Sequence, residues 1–351
     1  MEDDFKKMLE LVIWAPSGEN CQPWKFKIKN QQIEIFNIPE RDQSIHNFQQ
    51  RGSLIAHGAL LENLQIAAAH FGYTIEQNLF PESSDPALIA RLTLQKSALA
   101  EDELYPFITQ RCTNRKPYTA TPIPFSTRTK ILSVPSRFKT GEVKLVEDEK
   151  TKKKLAEALS LSELLLFQNK FLHQFFFSHL NWSETQDQQK GTGLYIKTLE
   201  LLPPQEKGLK IFSRWNVLKL FNLFGVAKKI AKENADRYNS SAAIGIIHLP
   251  GDSKLDFILT GRIFQRLWLT ATKENLSLQP LTGILFFRQR LAKEDTKIFS
   301  DREKKAIETA YQNIRTAFET KNGEITMLFR LGYADPPTAR SGRLEPLIIT
   351  N

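Results

Sequence analysis

Apolar positions along the chain switch repeatedly between a three-to-four-residue period and strict alternation, so helices and short strands are interspersed throughout. The spacing predicts a helix over residues 5–14, then strands over 25–29 and 32–38 split by the turn-prone Asn30. An amphipathic helix follows over 53–71, with Leu54, Leu60, Leu61, Leu64 and Ala68 on one side and Phe71-Gly72 at its end. Two strands are expected at 73–79 and 88–94. A fresh start comes near residue 105. It leads through a proline-punctuated loop at 117–124 to a strand at 142–146 and a helix at 153–166. Residues 165–235 carry aromatic-rich helical stretches broken by Gly191-Thr192-Gly193 and Pro203-Pro204. A strand at 242–249, a helix at 257–273, a strand at 284–287, a helix at 302–318 and a strand at 325–331 complete the pattern. Helices mixed with short strands make the expected class α+β.

Two of these helices echo one another. Gly58-Ala59-Leu60-Leu61, then Leu64, Ala68, Thr74 and Ile75, aligns without gaps with Gly261-Arg262-Ile263-Phe264, then Leu267, Ala271, Ser277 and Leu278. Both helices lead into a strand. Amphipathic helices can match by chance, so the echo gains its meaning from the layout of motifs around it.

The chain's 351 residues allow two ordinary domains or one large one. The 41% of hydrophobic residues, 24 phenylalanines among them, are ample for a core. A net charge of +9 fits a solvated basic surface, an anionic ligand, nucleic acid or an anionic membrane. The longest basic run is Lys152-Lys153-Lys154, which argues against nucleic acid. The acidic start Met1-Glu2-Asp3-Asp4 is unlike a signal peptide. No apolar run approaches the ~20 residues of a membrane span. A cytoplasmic protein is expected. Cys21 and Cys112 stand in no Cys-x-x-Cys pair and are read as packing residues.

Chemistry concentrates in three places. In Ala15-Pro16-Ser17-Gly18-Glu19-Asn20-Cys21-Gln22-Pro23-Trp24, Pro16 should stop the preceding helix and Pro23 launch an extended segment. Ser17, Gly18, Asn20 and Gln22 between them can approach a flat polar ligand along its edge. Arg111-x-Thr113-x-Arg115 gathers two guanidinium groups and a hydroxyl, a set able to hold a phosphate. A solvated basic loop is the bland alternative. The tail carries Arg340 and Arg343-Leu344-Glu345-Pro346-Leu347, which prolines hold extended. Either arginine could reach the same phosphate, or the tail is an ordinary basic one.

Together these elements resemble the nitroreductase family of flavoproteins over most of the chain. The turn is similar to that family's Ala-Pro-Ser-x-x-Asn-x-Gln-Pro-Trp signature, and Arg111, Thr113 and Arg115 to its Arg-x-Ser-x-Arg phosphate clamp. In the family, clamp and tail come from one subunit and the turn from the other, with FMN in their interface. Here the first half carries the turn and the second half the clamp and the tail. The resemblance therefore implies two fused nitroreductase-like halves, residues 1–103 and 104–351, forming an internal pseudo-dimer with one shared FMN site. This layout is most like the divergent, fused branch of mycobacterial Acg-type proteins.

The resemblance assigns the cofactor to Pro16, Ser17, Asn20, Gln22, Arg111, Thr113, Arg115, Arg340 and Arg343. Thr282 and Gly283, within Gln279-Pro280-Leu281-Thr282-Gly283, would offer backbone N–H groups to the flavin edge. The flavin would perform the chemistry, so no catalytic side chain and no metal is expected. The implied activity is NAD(P)H-dependent reduction of a small organic acceptor, a nitroaromatic or quinone, through ping-pong turnover with NADPH or NADH as reductant. Non-catalytic FMN storage is the alternative, and a specialised dehydrogenase a third reading. A monomer or weak dimer is expected.

Residues 165–235 sit where the family places insertions over the flavin. Trp215, Leu218, Phe221, Leu223 and Phe224 with Lys219, Lys228, Lys229 and Lys232 make a basic amphipathic stretch, read as a lid or pseudo-interface element. A membrane-surface helix and a plain core element are the alternatives. His57, His70, His173 and His179 lack metal-ligand spacing and are read as structural or surface residues.

Overall fold

The computed structural model describes residues 2–97, 101–292 and 297–349. The chain starts with α1 (Glu2–Val12), β1 (Trp24–Lys29), β2 (Gln32–Asn37), α2 (Arg51–His70), β3 (Tyr73–Leu79) and β4 (Leu88–Lys96). It continues with α3 (Phe125–Ser133), β5 (Glu142–Val146), α4 (Glu149–Leu159), α5 (Leu161–Gln168), α6 (Lys170–Ser178), β6 (Leu180–Asn181), α7 (Glu184–Lys190) and β7 (Leu194–Tyr195). Then come α8 (Pro203–Phe212), α9 (Trp215–Asn222), α10 (Val226–Asn239), β8 (Ala243–Leu249), α11 (Lys254–Lys273), β9 (Ser277–Pro280), α12 (Gly283–Ala292), α13 (Asp301–Ala317) and β10 (Glu324–Gly332).

Two four-stranded sheets share one topology. Their strand orders are β1-β2-β4-β3 and β5-β8-β10-β9, with every pairing antiparallel. In each, a long helix links the second strand to the third, and the fourth returns between them. The second half differs by what is inserted. Helices α4 to α10 separate its first two strands, and α12 and α13 separate its last two. In the first half a two-residue turn at Asn30, whose φ is +55°, does the work of the first insertion.

The echoing helices α2 and α11 pack on each other at their aligned glycines. A Cβ on Gly58 would lie 2.0 Å from the Ile258 carbonyl oxygen, and one on Gly261 would lie 1.9 Å from that of Ile55. Ile55 and Ile258 are themselves aligned in the echo, so the contact is self-complementary, as at a two-fold dimer interface. The polar contacts repeat the exchange. Arg266 pairs with Glu62 while Gln265 Nε2 donates to Asn63 Oδ1 at 2.7 Å, and Glu62 and Asn63 are the aligned counterparts of Gln265 and Arg266. The protein is an internal pseudo-dimer of α+β halves.

Four details depart from the sequence pattern. Helix α2 is not a one-sided amphipath, because 16 of its 20 residues are buried between α11 and its own half's core. Residues 284–287 lie in helix α12, not in a strand. A four-residue apolar run fits either element, and here the sheet edge is already taken by β9. The helix expected over 153–166 is two helices meeting at Ser160, the first opened by the Asp148 carboxylate accepting from Thr151 N at 2.9 Å. Helix α1 ends at Val12, ahead of Pro16, and successive turn hydrogen bonds carry the chain to Ala15.

Two irregular segments cover sheet edges, and the second of them ties the halves together. Thr113 forms a parallel bridge to Leu278, and Asn114 N donates to the Leu278 carbonyl at 3.1 Å, which covers the free edge of β9. The tail runs back across the molecule to the edge of β1. There Phe26 N donates to Leu347 O and Ile349 N to Phe26 O, both at 2.8 Å.

Candidate functional site

A cavity of about 760 Å³ opens between the halves. Its walls come from the 16–20 turn, the 111–115 segment, α5, α8, α10, the β9–α12 junction and the tail. Ten of the eleven residues singled out in the sequence line it: Pro16, Ser17, Asn20, Arg111, Thr113, Arg115, Thr282, Gly283, Arg340 and Arg343. Gln22 does not. Its buried amide donates to Gly191 O at 2.7 Å and accepts from Leu344 N at 2.9 Å, so it staples the first half to α7 and the tail. Asn20 is partly committed to the same task, donating to Gly342 O at 3.0 Å and accepting from Arg343 Nη1 at 2.9 Å. Ser17 Oγ accepts from Gln22 N at 3.0 Å, which closes the turn locally.

The cationic end of the cavity is built from aromatic faces rather than counter-ions. The Arg111 guanidinium lies 4.3 Å from the Trp268 ring centre. Those of Arg340 and Arg343 lie 4.8 and 5.3 Å from the ring centre of Trp14. Arg111 Nη2 donates to Trp14 O and Arg340 Nη2 to Arg111 O, both at 2.9 Å. Stacking and carbonyl contacts orient a guanidinium without neutralising it. Burial, then the neighbouring charges of Arg343 and Arg340, pulls the Arg111 pKa down to about 9. Burial, then Arg340, pulls Arg343 to about 10. The Nε atoms of Arg111 and Arg343 are buried without a hydrogen-bond partner. Buried donors are nearly always satisfied, so this end is set up for an anion.

Arg115 stands apart from this trio. Its Nη1 donates to Thr198 O at 3.0 Å, and its charge acts on Glu19. Burial lowers its pKa. Gly283 opens α12 on the cavity wall beside Thr282, and a helix's first N–H groups have no acceptor within the helix.

Sequence spacing gave no signal for several wall residues. Glu19 sits at φ +43° with one oxygen 3.0 Å from His46 Nδ1 and the other buried without a partner. Burial opposes its ionisation, but His46, His179 and Arg115 outweigh that and lower its pKa. Across the cavity Glu163 accepts from Tyr238 OH at 2.8 Å, and burial raises its pKa. Neither pair has a sequence separation typical of a motif. Cys112 is on the wall, while Cys21 is buried, its thiol pushed well up by burial and then by Asp42. His57 is fully buried and His173 nearly so.

The site is thus a polar and aromatic cleft between two pseudo-symmetric halves, closed at one end by unneutralised arginines. No family model matches the chain. It is 24% identical over 338 residues to the uncharacterized protein MT1398 of Mycobacterium tuberculosis, covering 95% of this chain and 46% of that protein. It is 27% identical over 124 residues to the putative NAD(P)H nitroreductase Rv3131 of the same species, covering 35% of this chain and 36% of that protein. These matches span less than half the length of either relative. Among solved structures, an FMN-bound nitroreductase from Bacteroides fragilis aligns over 71% of this chain and 98% of its own, at 13% identity and a TM-score of 0.39. The chain is nitroreductase-like by its sequence relatives.

Proposed function

We propose that the cavity holds FMN and that the protein is an NAD(P)H-dependent oxidoreductase acting on a small organic acceptor such as a nitroaromatic or quinone. The observation that carries this reading is the trio Arg111, Arg340 and Arg343 at one end of the cavity: Arg111 is buried, Arg343 half-buried and Arg340 exposed, none meets a carboxylate there, and the Nε atoms of Arg111 and Arg343 are buried and unsatisfied. Such donors match the charge and the fork geometry of a phosphate. The volume lies in the range of ordinary cofactor sites. Thr113 adds a hydroxyl to the wall, and the opening N–H groups of α12 suit the polar edge of a flat heterocycle. A bound flavin would supply the hydride chemistry, and the protein the binding, orientation and electrostatics. The cationic end would favour an anionic reduced cofactor. Glu163, whose raised pKa keeps a proton at its carboxyl more readily than usual, is the wall group suited to proton delivery.

Two charge-assisted contacts at about 1.5–3 kcal/mol each predict that Arg111→Ala with Arg343→Ala weakens FMN retention by roughly 100-fold or more. Arg115→Ala should weaken it less, because that guanidinium is already engaged with Thr198 O. Retention measured on desalted protein tests both, and unchanged binding in the double variant contradicts the phosphate assignment.

A flavin-holding role without turnover is the second reading. It is favoured by the aromatic and aliphatic wall of α8 and α10, with Leu209, Phe212, Val226 and Ile230 facing the cavity. Anaerobic NADPH or NADH titration of FMN-loaded protein separates the two. Bleaching of the flavin absorbance supports the oxidoreductase, and colour that survives both reductants supports the holding protein.

A further inference from the structure

The stretch from the start of α8 through α9 to the start of α10 carries most of the large exposed apolar side chains among the described residues, and α8 and α10 on either side of it wall the cavity. Among the described residues ten large apolar side chains are exposed, and six of them fall between Leu202 and Phe224. The most prominent are Leu223 and Phe224, 79% and 83% exposed, at the elbow where α9 turns into α10. Leu220 and Phe221 stand exposed beside them, and Ile211 on α8. Helix α9 buries its other face through Leu218, so the elbow is firmly seated on the protein while its apolar tip projects.

Charge around this tip is mainly positive, although Glu206 and Glu233 bound the stretch and Glu206 pairs with Lys210 at 3.4 Å. From Lys207 to Lys232 the sequence carries seven cations, Lys207, Lys210, Arg214, Lys219, Lys228, Lys229 and Lys232, and no acidic residue. An apolar tip flanked by lysines on flexible apolar stems is the arrangement that lets side chains enter a lipid interface while the ammonium groups stay at the headgroups. No helix among the described residues is long and apolar enough to cross a membrane, so contact here is with a surface.

We infer that the α8–α10 elbow docks the protein on an anionic lipid bilayer, with Leu223 and Phe224 inserted and the surrounding cations on acidic headgroups. Charge complementarity selects this occupant over a second copy of the chain. Lys210 is paired with Glu206 and Lys229 lines the cavity, but a copy docked through the same patch would still set the remaining cations against their own counterparts, and each chain is already at +9. The Phe221 ring packs 5.5 Å from that of Phe212, which lines the cavity. Docking therefore sets lipid against the outer wall of the cavity.

Vesicle flotation of the full chain tests this without reference to any flavin. Vesicles of phosphatidylcholine with phosphatidylglycerol should carry the protein up the gradient, and vesicles of phosphatidylcholine alone should not. Raised salt should weaken the binding. Leu223→Ser with Phe224→Ser, and separately Lys219→Gln with Lys228→Gln and Lys232→Gln, should each lower the bound fraction by about tenfold. Circular dichroism and thermal melting of the variants should match the parent, since these side chains are exposed. Failure to float with anionic vesicles, or equal flotation of the variants, overturns the inference. So does a parent dimer in sedimentation velocity that Leu223→Ser with Phe224→Ser converts to monomer, because that assigns the patch to a second copy.

Discussion

The two halves share a strand order, a long central helix and a self-complementary crossing, yet the two equivalent positions beside that crossing are furnished differently among the described residues. At the cavity Trp268 backs Arg111, and Pro280 lies at the wall. The aligned counterparts of Trp268 and Pro280 are Gln65 and Gln77, and these bond to each other at 3.4 Å. Gln77 also accepts from Arg262 Nη1 at 3.3 Å. The Arg262 guanidinium in turn pairs with Glu62 and lies 5.3 Å from the centre of the Phe138 ring. At the second position the chain's own side chains satisfy one another. At the first they leave arginine donors unmet. The scaffold is common to both halves, and the difference between open and filled lies in side chains on α11 and the strand edges together with the inserted helices α5, α8 and α10, which wall the cavity in one place and have no counterpart in the first half.

The shared crossing is where the comparison breaks most violently. Replacing Gly261 with valine drives a side chain into the Ile55 carbonyl, and Gly58→Val does the same against Ile258. Backbone cannot yield as a side-chain tip can, so each change should cost about 5 kcal/mol or more. If the interface is self-complementary, the two variants should lose similar stability in denaturant titration. A large loss at one position and a small one at the other would refute the pseudo-symmetry. Glu62→Gln comes next. Glu62 is fully buried between Arg262 and Arg266, and Arg266 also holds Asp102 at 2.8 Å. Removing one partner of a buried pair typically costs about 3–5 kcal/mol. Chemical denaturation should read a loss of about 3 kcal/mol, the low end, because Asp102 remains to compensate Arg266.

Much of the scaffold is legible in the sequence, for a definite reason. Gly58 and Gly261 are visible because only glycine fits a backbone-to-backbone approach, and the apolar residues around them repeat in step. Alternation marks β1, β2 and β3 because each has one face on the core. The failures are equally physical. Residues 284–287 are apolar all round and fit helix or strand, so sheet pairing elsewhere decides the outcome. Helix α2 is buried on nearly every side, and its leucine stripe understates that. At the cavity, that Arg111, Arg340 and Arg343 share one site is what the family resemblance implies, since their spacing alone fits a basic loop and a basic tail equally well. Trp14 and Trp268, which orient those arginines, carry no such signal, since stacking across the fold leaves no periodic trace. Gln22 looks like a ligand group because it is polar and flanked by proline. The structure commits both ends of its amide to Gly191 and Leu344.

The smallest expected effect separates the halves by pH. His57 and its aligned counterpart Thr260 are both fully buried on the central helices. Thr260 Oγ1 donates to Thr326 Oγ1 at 2.8 Å and cannot titrate in the usual range. His57 Nε2 lies 3.1 Å from Asn37 Oδ1, the geometry of a neutral imidazole donating to an amide oxygen. Burial pulls its pKa from 6.5 down to about 3. Between those values the unfolded chain binds a proton that the folded one does not, so stability is full above pH 6.5 and falls as the pH drops towards 3. At pH 5 the loss from this one group is about 2 kcal/mol. His57→Gln retains a donor for Asn37 without the titration. The variant's stability, measured from pH 7 to pH 5, should decline less than the parent's by about that amount. Carboxylates elsewhere titrate in both proteins and cancel in the difference. Hydrogen exchange should place the extra acid sensitivity of the parent in α2 and the first sheet rather than in α11 and the second. Equal acid sensitivity in both sheets would mean that the crossing transmits the strain, and that the halves unfold as one unit.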